Sequence, residues 1–267
     1  MPARKSIPAE LPAPETIDVA ALGRACTSGE TDLVVVLGPT ASGKTRYAVE
    51  LARQLAPAEI ISADSRQVYR GMDIGTGKDL GEYGEVPYHL IDILPAGAQY
   101  NVFEFQKDFI RAYADIRGRG AVPILCGGTG MYISAVTSGY DFVNRTAHSS
   151  AKPAAARDGL PSKPFFIGTL VSREVRNARI DRRLDARLQE GMVDEIRGLL
   201  DAGVPAETLI SYGLEYKFVT LYLTGQLSFD EMRQKLAIAI HQFAKRQMTW
   251  FRGMERSGVR IHWTEVR

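Results

Sequence analysis

The feature that most constrains this chain is a glycine-rich segment, G-x-x-x-x-G-K-T, at residues 38–45. It directly follows an apolar run at residues 34–37 and precedes apolar residues at helical spacing as far as residue 55. Glycines let such a loop curl so that successive backbone N–H groups face an anion, and the next helix adds its positive dipole end. In this motif the lysine reaches the outer phosphates, and the threonine hydroxyl can bind Mg²⁺. The order strand, loop, helix therefore predicts a phosphate-binding loop.

Further strands and helices alternate along the chain. Apolar runs predict strands at 59–62, 121–126 and 165–170, and a weaker strand or edge segment at 86–93. Apolar residues at helical spacing predict further helices at residues 103–118, from 173 onwards, 193–200, 214–223 and 229–252. Such alternation is typical of a parallel sheet with helices on both faces. We therefore predict an α/β fold of the P-loop NTPase-like kind, with a C-terminal helical region.

The same patterns divide the chain into four parts. Residues 1–30 are rich in Ala, Pro and Glu and predict a mobile tail with one short helix near residues 19–26. Residues 31–140 form the predicted α/β core. Residues 141–164 lack apolar periodicity and predict a loop. Residues 165–267 complete the core and add the C-terminal helices.

Composition narrows the class of protein. The chain has 45% hydrophobic and 24% charged residues, as globular proteins do. It contains no apolar run long enough to cross a bilayer and no signal-peptide pattern, so we expect no membrane partner and a cytoplasmic location. Cys26 and Cys126 are expected to be reduced packing residues, and the four histidines lack the spacing of zinc ligands.

Positive charge is concentrated in the C-terminal half, although the net charge is only +2. Arginines recur between residues 173 and 187, and basic residues return between residues 245 and 260. Such clusters fit an anionic partner, although a solvated, salt-bridged helix face is the commoner explanation. The charge pattern alone leaves both interpretations open.

Three motifs follow predicted strands, at residues 38–45, 64–67 and 127–130. Because ligands of parallel sheets bind at the carboxyl ends of the strands, we expect these motifs to line one cleft. Asp64 is a candidate general base or Mg²⁺-associated acid, and a turn-forming aspartate is the simpler alternative. Of the acidic residues that could end an apolar strand, as in many ATPases, only Asp92 is a weak candidate, which disfavours ATP hydrolysis.

Five segments resemble, in order, the signature motifs of bacterial tRNA dimethylallyltransferases. They are residues 38–45, 61–76, 87–92, 127–132 and 244–252, and the similarity extends over roughly 33–136 and 166–256. The chain departs from the family pattern in residues 137–165. This stretch is too short for the helical insertion that grips the anticodon stem in the family, and it lacks the Asp-Pro-Gln-Arg-type motif. The chain thus resembles a short member of the family, in which 141–164 replaces most of the insertion domain.

The resemblance implies an enzyme that transfers a dimethylallyl group from its diphosphate to N6 of an adenine next to the anticodon of tRNA. The implied diphosphate-binding residues are Gly38, Pro39, Thr40, Ala41, Ser42, Gly43, Lys44 and Thr45, and Thr45 also binds the implied cofactor Mg²⁺. The implied catalytic residues are Asp64, Thr40, Lys44 and Arg179, with Arg182 and Arg183 as alternatives to Arg179. The implied tRNA-binding residues are Asp64, Ser65, Arg66, Gln67, Thr129, Lys245 and Arg246.

These residue types suit the implied chemistry. An exocyclic adenine amine is a weak nucleophile, so a carboxylate that accepts its proton helps the reaction. Cations and N–H groups stabilise charge on a departing diphosphate, and the target base must leave its stack to reach them. Residues 245–252 interleave basic and aromatic side chains, as RNA contact requires, although a core helix with a basic outer face has the same pattern.

Three alternatives stay open at this point. One is transfer of the same group to a free adenine nucleotide, which the missing insertion makes plausible, whereas residues 65–67 and 245–252 favour RNA. The others are a small-molecule phosphotransferase and a non-catalytic RNA-binding protein. We expect a monomer that binds dimethylallyl diphosphate and the anticodon stem-loop of tRNA.

Overall fold

The computed structural model describes residues 12–138 and 159–266. The strands within these ranges are β1 (Leu33–Leu37), β2 (Ala58–Ser62), β3 (Tyr69–Arg70), β4 (Tyr88–His89), β5 (Leu94–Pro95), β6 (Val122–Gly127), β7 (Pro164–Leu170) and β8 (Ile261–Glu265). Six of the described strands form one sheet in the order β4-β2-β6-β1-β7-β8, and every neighbouring pair in it is parallel. Strands β3 and β5 pair separately.

Helices connect and cover these strands. They are α1 (Val19–Ser28), α2 (Lys44–Gln54), α3 (Val102–Gly118), α4 (Gly130–Thr137), α5 (Arg173–Gln189), α6 (Met192–Asp201), α7 (Ala206–Ser211), α8 (Leu214–Leu223) and α9 (Phe229–Arg256). Helices α3 and α9 both begin with a capping box, in which Asn101 pairs with Glu104 and Ser228 with Glu231. None of the described helices is long and apolar enough to cross a membrane.

The central strand β1 explains why the sheet is covered on both faces. All five of its residues are buried, and successive side chains point to opposite sides. Leu33, Val35 and Leu37 pack into one cluster with side chains of α3, α4 and α9. Val34 and Val36 pack into the opposite cluster with side chains of α1 and α2. The predicted α/β class with helices on both faces of a parallel sheet is therefore confirmed.

A third core lies outside the sheet, among helices α5 to α9. Ile180, Met192, Tyr216 and Leu236 are all at most 2% exposed within it. Helix α9 takes part in two cores, because its first half packs into this helical cluster and its second half packs on the sheet. The predicted C-terminal helical region is thus a packed layer, and one helix ties it to the sheet.

The structure adds elements that the sequence patterns did not indicate: β3, β5, α4, α7 and β8. Part of the predicted mobile tail is also ordered against the core, since Leu22 of α1 is 4% exposed and the Glu15 N–H donates to the Trp263 carbonyl. The physical reason is that the apolar side of α1 adds to the cluster on one face of the sheet. Residues 1–11, 139–158 and 267 lie outside the described residues, and residues 141–158 of the predicted replacement loop are among them.

Candidate active site at the carboxyl ends of the strands

The glycine-rich segment forms a tight loop between β1 and α2. Ala41 and Gly43 have positive φ angles of 63° and 79°, which bends the chain back before α2 begins at Lys44. A Cβ atom on Gly38 would lie 2.0 Å from Thr169 Oγ1, so this position has no room for a side chain. The Ser42 hydroxyl lies 2.6 Å from the same Thr169 oxygen. The predicted loop is therefore held by β7, and Ser42 anchors it from inside the protein.

Lys44 and Thr45 face a deep polar pocket beside this loop. Burial lowers the pKa of Lys44, partly offset by the negative charge of Asp64. Cys126 lies against the same helix start, with its Sγ 3.7 Å from the Lys44 carbonyl oxygen, and burial raises the pKa of this thiol to about 12. Cys126 is thus a neutral, free packing residue, as expected.

Asp64 lines the same pocket just beyond the end of β2. Its Oδ1 accepts hydrogen bonds from the backbone N–H of Arg66 at 3.0 Å and from Arg66 Nε at 3.5 Å. Burial raises the pKa of Asp64, but Arg66 and Lys44 outweigh burial and hold it below its usual range. Since both bonds fall on Oδ1, the other carboxylate oxygen is left to accept a proton.

Arg66 is held by protein groups on both sides. Its Nη1 donates to Glu215 Oε2 of α8 at 2.8 Å, and the two side chains are 17% and 6% exposed. The ring of Phe243 lies 5.8 Å from the guanidinium carbon. Arg66 was predicted to contact tRNA, and that role stays a prediction. Its observed contacts orient Asp64.

The other residues predicted to meet the nucleotide connect neighbouring strand ends. Gln67 Oε1 accepts from the Ser62 hydroxyl at 3.0 Å, and Gln67 Nε2 donates to the Gly77 carbonyl at 3.3 Å. The backbone N–H of Ser65 donates to Thr129 Oγ1 at 3.4 Å. The expectation that the three motifs line one cleft is confirmed, because Lys44, Asp64 and Gly127 share one pocket.

Gln247 is a site residue that the sequence analysis did not single out. It is 7% exposed on α9, and its Oε1 accepts from the backbone N–H of Thr40 at 2.8 Å and from the Thr40 hydroxyl at 3.2 Å. Its Nε2 donates to the Gly128 carbonyl at 2.9 Å. One amide thus joins the phosphate loop to the end of β6. The signal that could have found it is a lone glutamine on the apolar side of a basic, aromatic helix.

The arginines of α5 approach the loop from the helical side. Arg179 lies with Lys44 and Thr45 at the outer mouth, whereas Arg183 lines both this mouth and the deep pocket. Arg183 Nη2 also donates to Asp79 Oδ2 at 2.8 Å. Arg182 is exposed. Arg179 and Arg183 thus lie near Lys44, and Arg182 is not among the lining residues of either pocket; which of the three meets the diphosphate stays a prediction.

The predicted RNA-contacting segment lies on the outer face of α9. Lys245 and Arg246 are exposed, and the Arg246 guanidinium lies 5.7 Å from the ring centre of Phe243. Trp250 is 45% exposed, and its Nε1 donates to the Ser134 hydroxyl at 3.1 Å. The opposite face of this segment is buried in the core. The segment is therefore a core helix with a basic outer face, and its contact with RNA stays a prediction.

The side chains of the pocket suit a metal ion that is held mainly by phosphate oxygens of a substrate and only partly by the protein. No group of three or more His, Cys, Asp or Glu side chains that could hold a metal occurs within residues 12–138 and 159–266. Mg²⁺ commonly binds through one or two protein oxygens and completes its shell with phosphate oxygens and waters. The Thr45 hydroxyl at the start of α2 fits that mode.

A parallel α/β sheet with a glycine-rich phosphate loop after its central strand defines the P-loop class. Within that class, a family model described as IPP transferase matches residues 67–162 and 143–254, and one described as isopentenyl transferase matches residues 31–83. The chain belongs to the tRNA dimethylallyltransferase, or IPP transferase, family.

Individual relatives and a solved structure support this family membership. The tRNA dimethylallyltransferase 1 of Parabacteroides distasonis is 50% identical over 285 positions, covering 88% of this chain and 92% of the relative. The one of Porphyromonas gingivalis is 50% identical over 284 positions, covering 88% and 94%. The crystal structure of the tRNA isopentenylpyrophosphate transferase from Bacillus halodurans superposes with a TM-score of 0.75 at 32% identity, covering 88% of this chain and 90% of that one.

This chain lacks residues that its relative from Parabacteroides distasonis has. The first alignment spans 285 positions, more than the 267 residues of the whole chain. It must therefore contain gaps in this chain opposite residues of the relative. This agrees with the prediction of a short family member.

Proposed function

We propose that this protein transfers a dimethylallyl group from dimethylallyl diphosphate to N6 of an adenine in tRNA next to the anticodon, releasing diphosphate. One observation carries the proposal: the phosphate loop and a candidate base face the same pocket, where Lys44 and Asp64 both line the wall. A displacement reaction needs this pairing, because one group must hold the leaving diphosphate while another takes the proton of the nucleophile.

The leaving group is bound by the loop side of the pocket. As the bond between the allylic carbon and the diphosphate oxygen breaks, its electron pair stays on that oxygen. Lys44, the loop N–H groups and the guanidinium groups of Arg179 and Arg183 stabilise this charge. The Thr45 hydroxyl would hold Mg²⁺, whose charge helps neutralise the diphosphate.

The nucleophile is activated on the strand-end side. Adenine N6 forms the new bond to the allylic carbon, and its surplus proton passes to the free oxygen of Asp64. Because the pKa of Asp64 is held below its usual range, the carboxylate is ionised at neutral pH and ready to accept that proton. Arg66 keeps the carboxylate in place throughout.

The RNA surface in this proposal is the exposed face of α9. Lys245 and Arg246 can neutralise backbone phosphates, and exposed Trp250 offers a flat ring beside them. The opposite, buried side of the same helix reaches the phosphate loop through Gln247. Binding of the anticodon stem-loop by a cytoplasmic monomer stays a prediction.

The test measures transfer of radiolabelled dimethylallyl diphosphate, with Mg²⁺, to a tRNA transcript, an anticodon hairpin or AMP. We expect label in the tRNA and the hairpin, and none in a matched tRNA whose target adenine is replaced by guanine. Label in AMP alone would overturn tRNA as the acceptor and support transfer to a free nucleotide. Transfer to no acceptor would overturn both.

A further inference from the structure

Arg187 is a buried arginine of the pocket that the sequence analysis did not assign to the site. It lies on α5, one turn beyond Arg183, and its side chain is 10% exposed. It lines the same deep pocket as Thr40, Lys44 and Asp64. Buried arginines normally have their charge matched by a close carboxylate or phosphate.

The charge of Arg187 is only weakly matched. Its Nη1 lies 4.0 Å from Glu215 Oε1, and its buried Nη2 has no hydrogen-bond partner in the described part of the chain. Glu215 is already engaged, since Arg66 donates to its Oε2 at 2.8 Å. Arg183, by contrast, donates to Asp79 at 2.8 Å. Of these two arginines, Arg187 has the weaker ion pair and is also the less exposed, at 10% against 36% for Arg183.

The position of Arg187 is fixed by tight packing. A Cβ atom on Gly77 would lie only 1.5 Å from Arg187 Nη2, so the bare glycine backbone packs against the guanidinium. Burial, together with the neighbouring charge of Arg183, lowers the pKa of Arg187 to about 10, which still leaves it protonated at neutral pH. The pocket therefore contains a rigid, charged donor that an anion could stabilise.

The pocket as a whole has more positive than negative charge. Its charged lining side chains are Lys44, Arg66, Arg183, Arg187, Asp64 and Glu215. Two of the four cations are offset by the two carboxylates, and Arg183 is offset by Asp79 outside this lining. One positive charge is left, which an anionic ligand placed by the phosphate loop beside Lys44 would balance.

We propose that Arg187 is an additional diphosphate-binding residue, which supplies a charge-assisted hydrogen bond to the prenyl donor and to the leaving group. The inference rests on the proposed function, because the diphosphate is the anion that the loop would hold. In this proposal, the Arg187 guanidinium contacts the diphosphate inside the pocket, and Arg179 and Arg183 lie at its outer mouth.

The experiment measures the Kd of inorganic pyrophosphate with Mg²⁺ by calorimetry, together with the thermal stability of the ligand-free protein. The variants are Arg187→Met, Arg187→Lys and, as a matched control, Arg176→Met. Arg176 lies on the same helix and also has a buried guanidinium nitrogen without a hydrogen-bond partner in the described residues, but it is not among the residues that line this pocket. A methionine fills a similar apolar volume without the charge.

We expect Arg187→Met to weaken pyrophosphate binding roughly 10- to 100-fold, the usual effect of losing a charged hydrogen bond. Arg187→Lys should lie between this variant and the wild type, and Arg176→Met should bind as the wild type does. The ligand-free Arg187→Met protein should be at least as stable as the wild type, because Glu215 keeps Arg66 as its partner and a weakly matched buried charge is gone.

The two proposals fail in different ways. If the wild type does not bind pyrophosphate, the leaving-group site of the proposed function is overturned. If the wild type binds it and Arg187→Met binds equally well, the role of Arg187 alone is overturned. A ligand-free Arg187→Met protein that melts well below the wild type, with unchanged affinity while folded, would make Arg187 a structural residue and also overturn the inference.

Discussion

The sheet side and the helical side of the pocket hold their functional groups by different means. On the sheet side, the loop at residues 38–45 presents backbone N–H groups whose direction is set by Gly38, Ala41 and Gly43. On the helical side, the groups are side chains joined over long sequence separations, such as Arg66 with Glu215. Backbone geometry comes from neighbours in sequence, whereas the side-chain pairs exist only once the helical layer has packed. The first side therefore forms the proposed phosphate site, and the second sets the charges around the proposed base.

The largest effect is expected at Asp64, where the two sides meet. Asp64→Asn keeps the shape of the side chain but cannot accept the proton of the nucleophile. Transfer should fall roughly 10²- to 10⁴-fold, the range of a lost general base, while pyrophosphate binding on the sheet side persists. Single-turnover transfer and calorimetry measure the two properties, with the exposed Asp115→Asn as control. Full activity in Asp64→Asn would remove Asp64 from the role of base.

The link between the two sides is tested at Gln247. Gln247→Leu leaves the Thr40 N–H and the Gly128 carbonyl without a hydrogen-bond partner, and each such group lowers the free energy of unfolding by about 1–3 kcal/mol. The displaced loop should also slow transfer roughly 10- to 100-fold, since small misplacements of reacting groups are costly. Urea unfolding and transfer assays measure both effects. The exposed Gln242→Leu on the same helix is the control, and equal behaviour of the two variants would contradict the link.

The helical side should tune the base through Arg66. Arg66→Gln removes the largest influence that lowers the pKa of Asp64 and leaves burial, which raises it. A carboxylate can act as a base only above its pKa. As the pH is lowered, the variant should therefore lose activity at a higher pH than the wild type does. Lys44 still acts on Asp64 in the variant, so the shift is partial. The pH dependence of kcat/KM shows it, and Arg53→Gln, which loses an exposed ion pair with Glu85, should leave the profile in place.

The smallest effect is expected on the outer face of α9. The double variant Lys245→Ala with Arg246→Ala should raise the KM for tRNA and reduce the salt dependence of binding by about one unit of slope per charge. The kcat should change little, because neither residue lines the pocket of Asp64. The matched double variant Lys107→Ala with Arg111→Ala removes two exposed charges from α3. If both double variants behave alike, this face of α9 does not bind the RNA.

The same contrast explains what the sequence could predict. The strand, loop and helix around Lys44 follow from local patterns, and so does the α/β class. Strand β8 was missed because His262, Thr264 and Glu265 break up its apolar pattern, and its membership in the sheet depends on β7 beside it. The contact of Arg66 with Glu215 could not be predicted from local patterns, because the two residues lie 149 positions apart. Gln247 and Arg187 were missed for the same reason: each looks like an ordinary polar residue on a helix until the helix is packed.

Helix α9 also determines how the molecule holds together. Met232 and Leu236 belong to the helical core, whereas Phe251 and Met254 of the same helix belong to the core on the sheet. Both cores include side chains of this 28-residue helix, so no domain boundary separates them. We therefore expect the two cores to unfold together, and we expect a loss of order in either one to displace Gln247, where the helix contacts the phosphate loop.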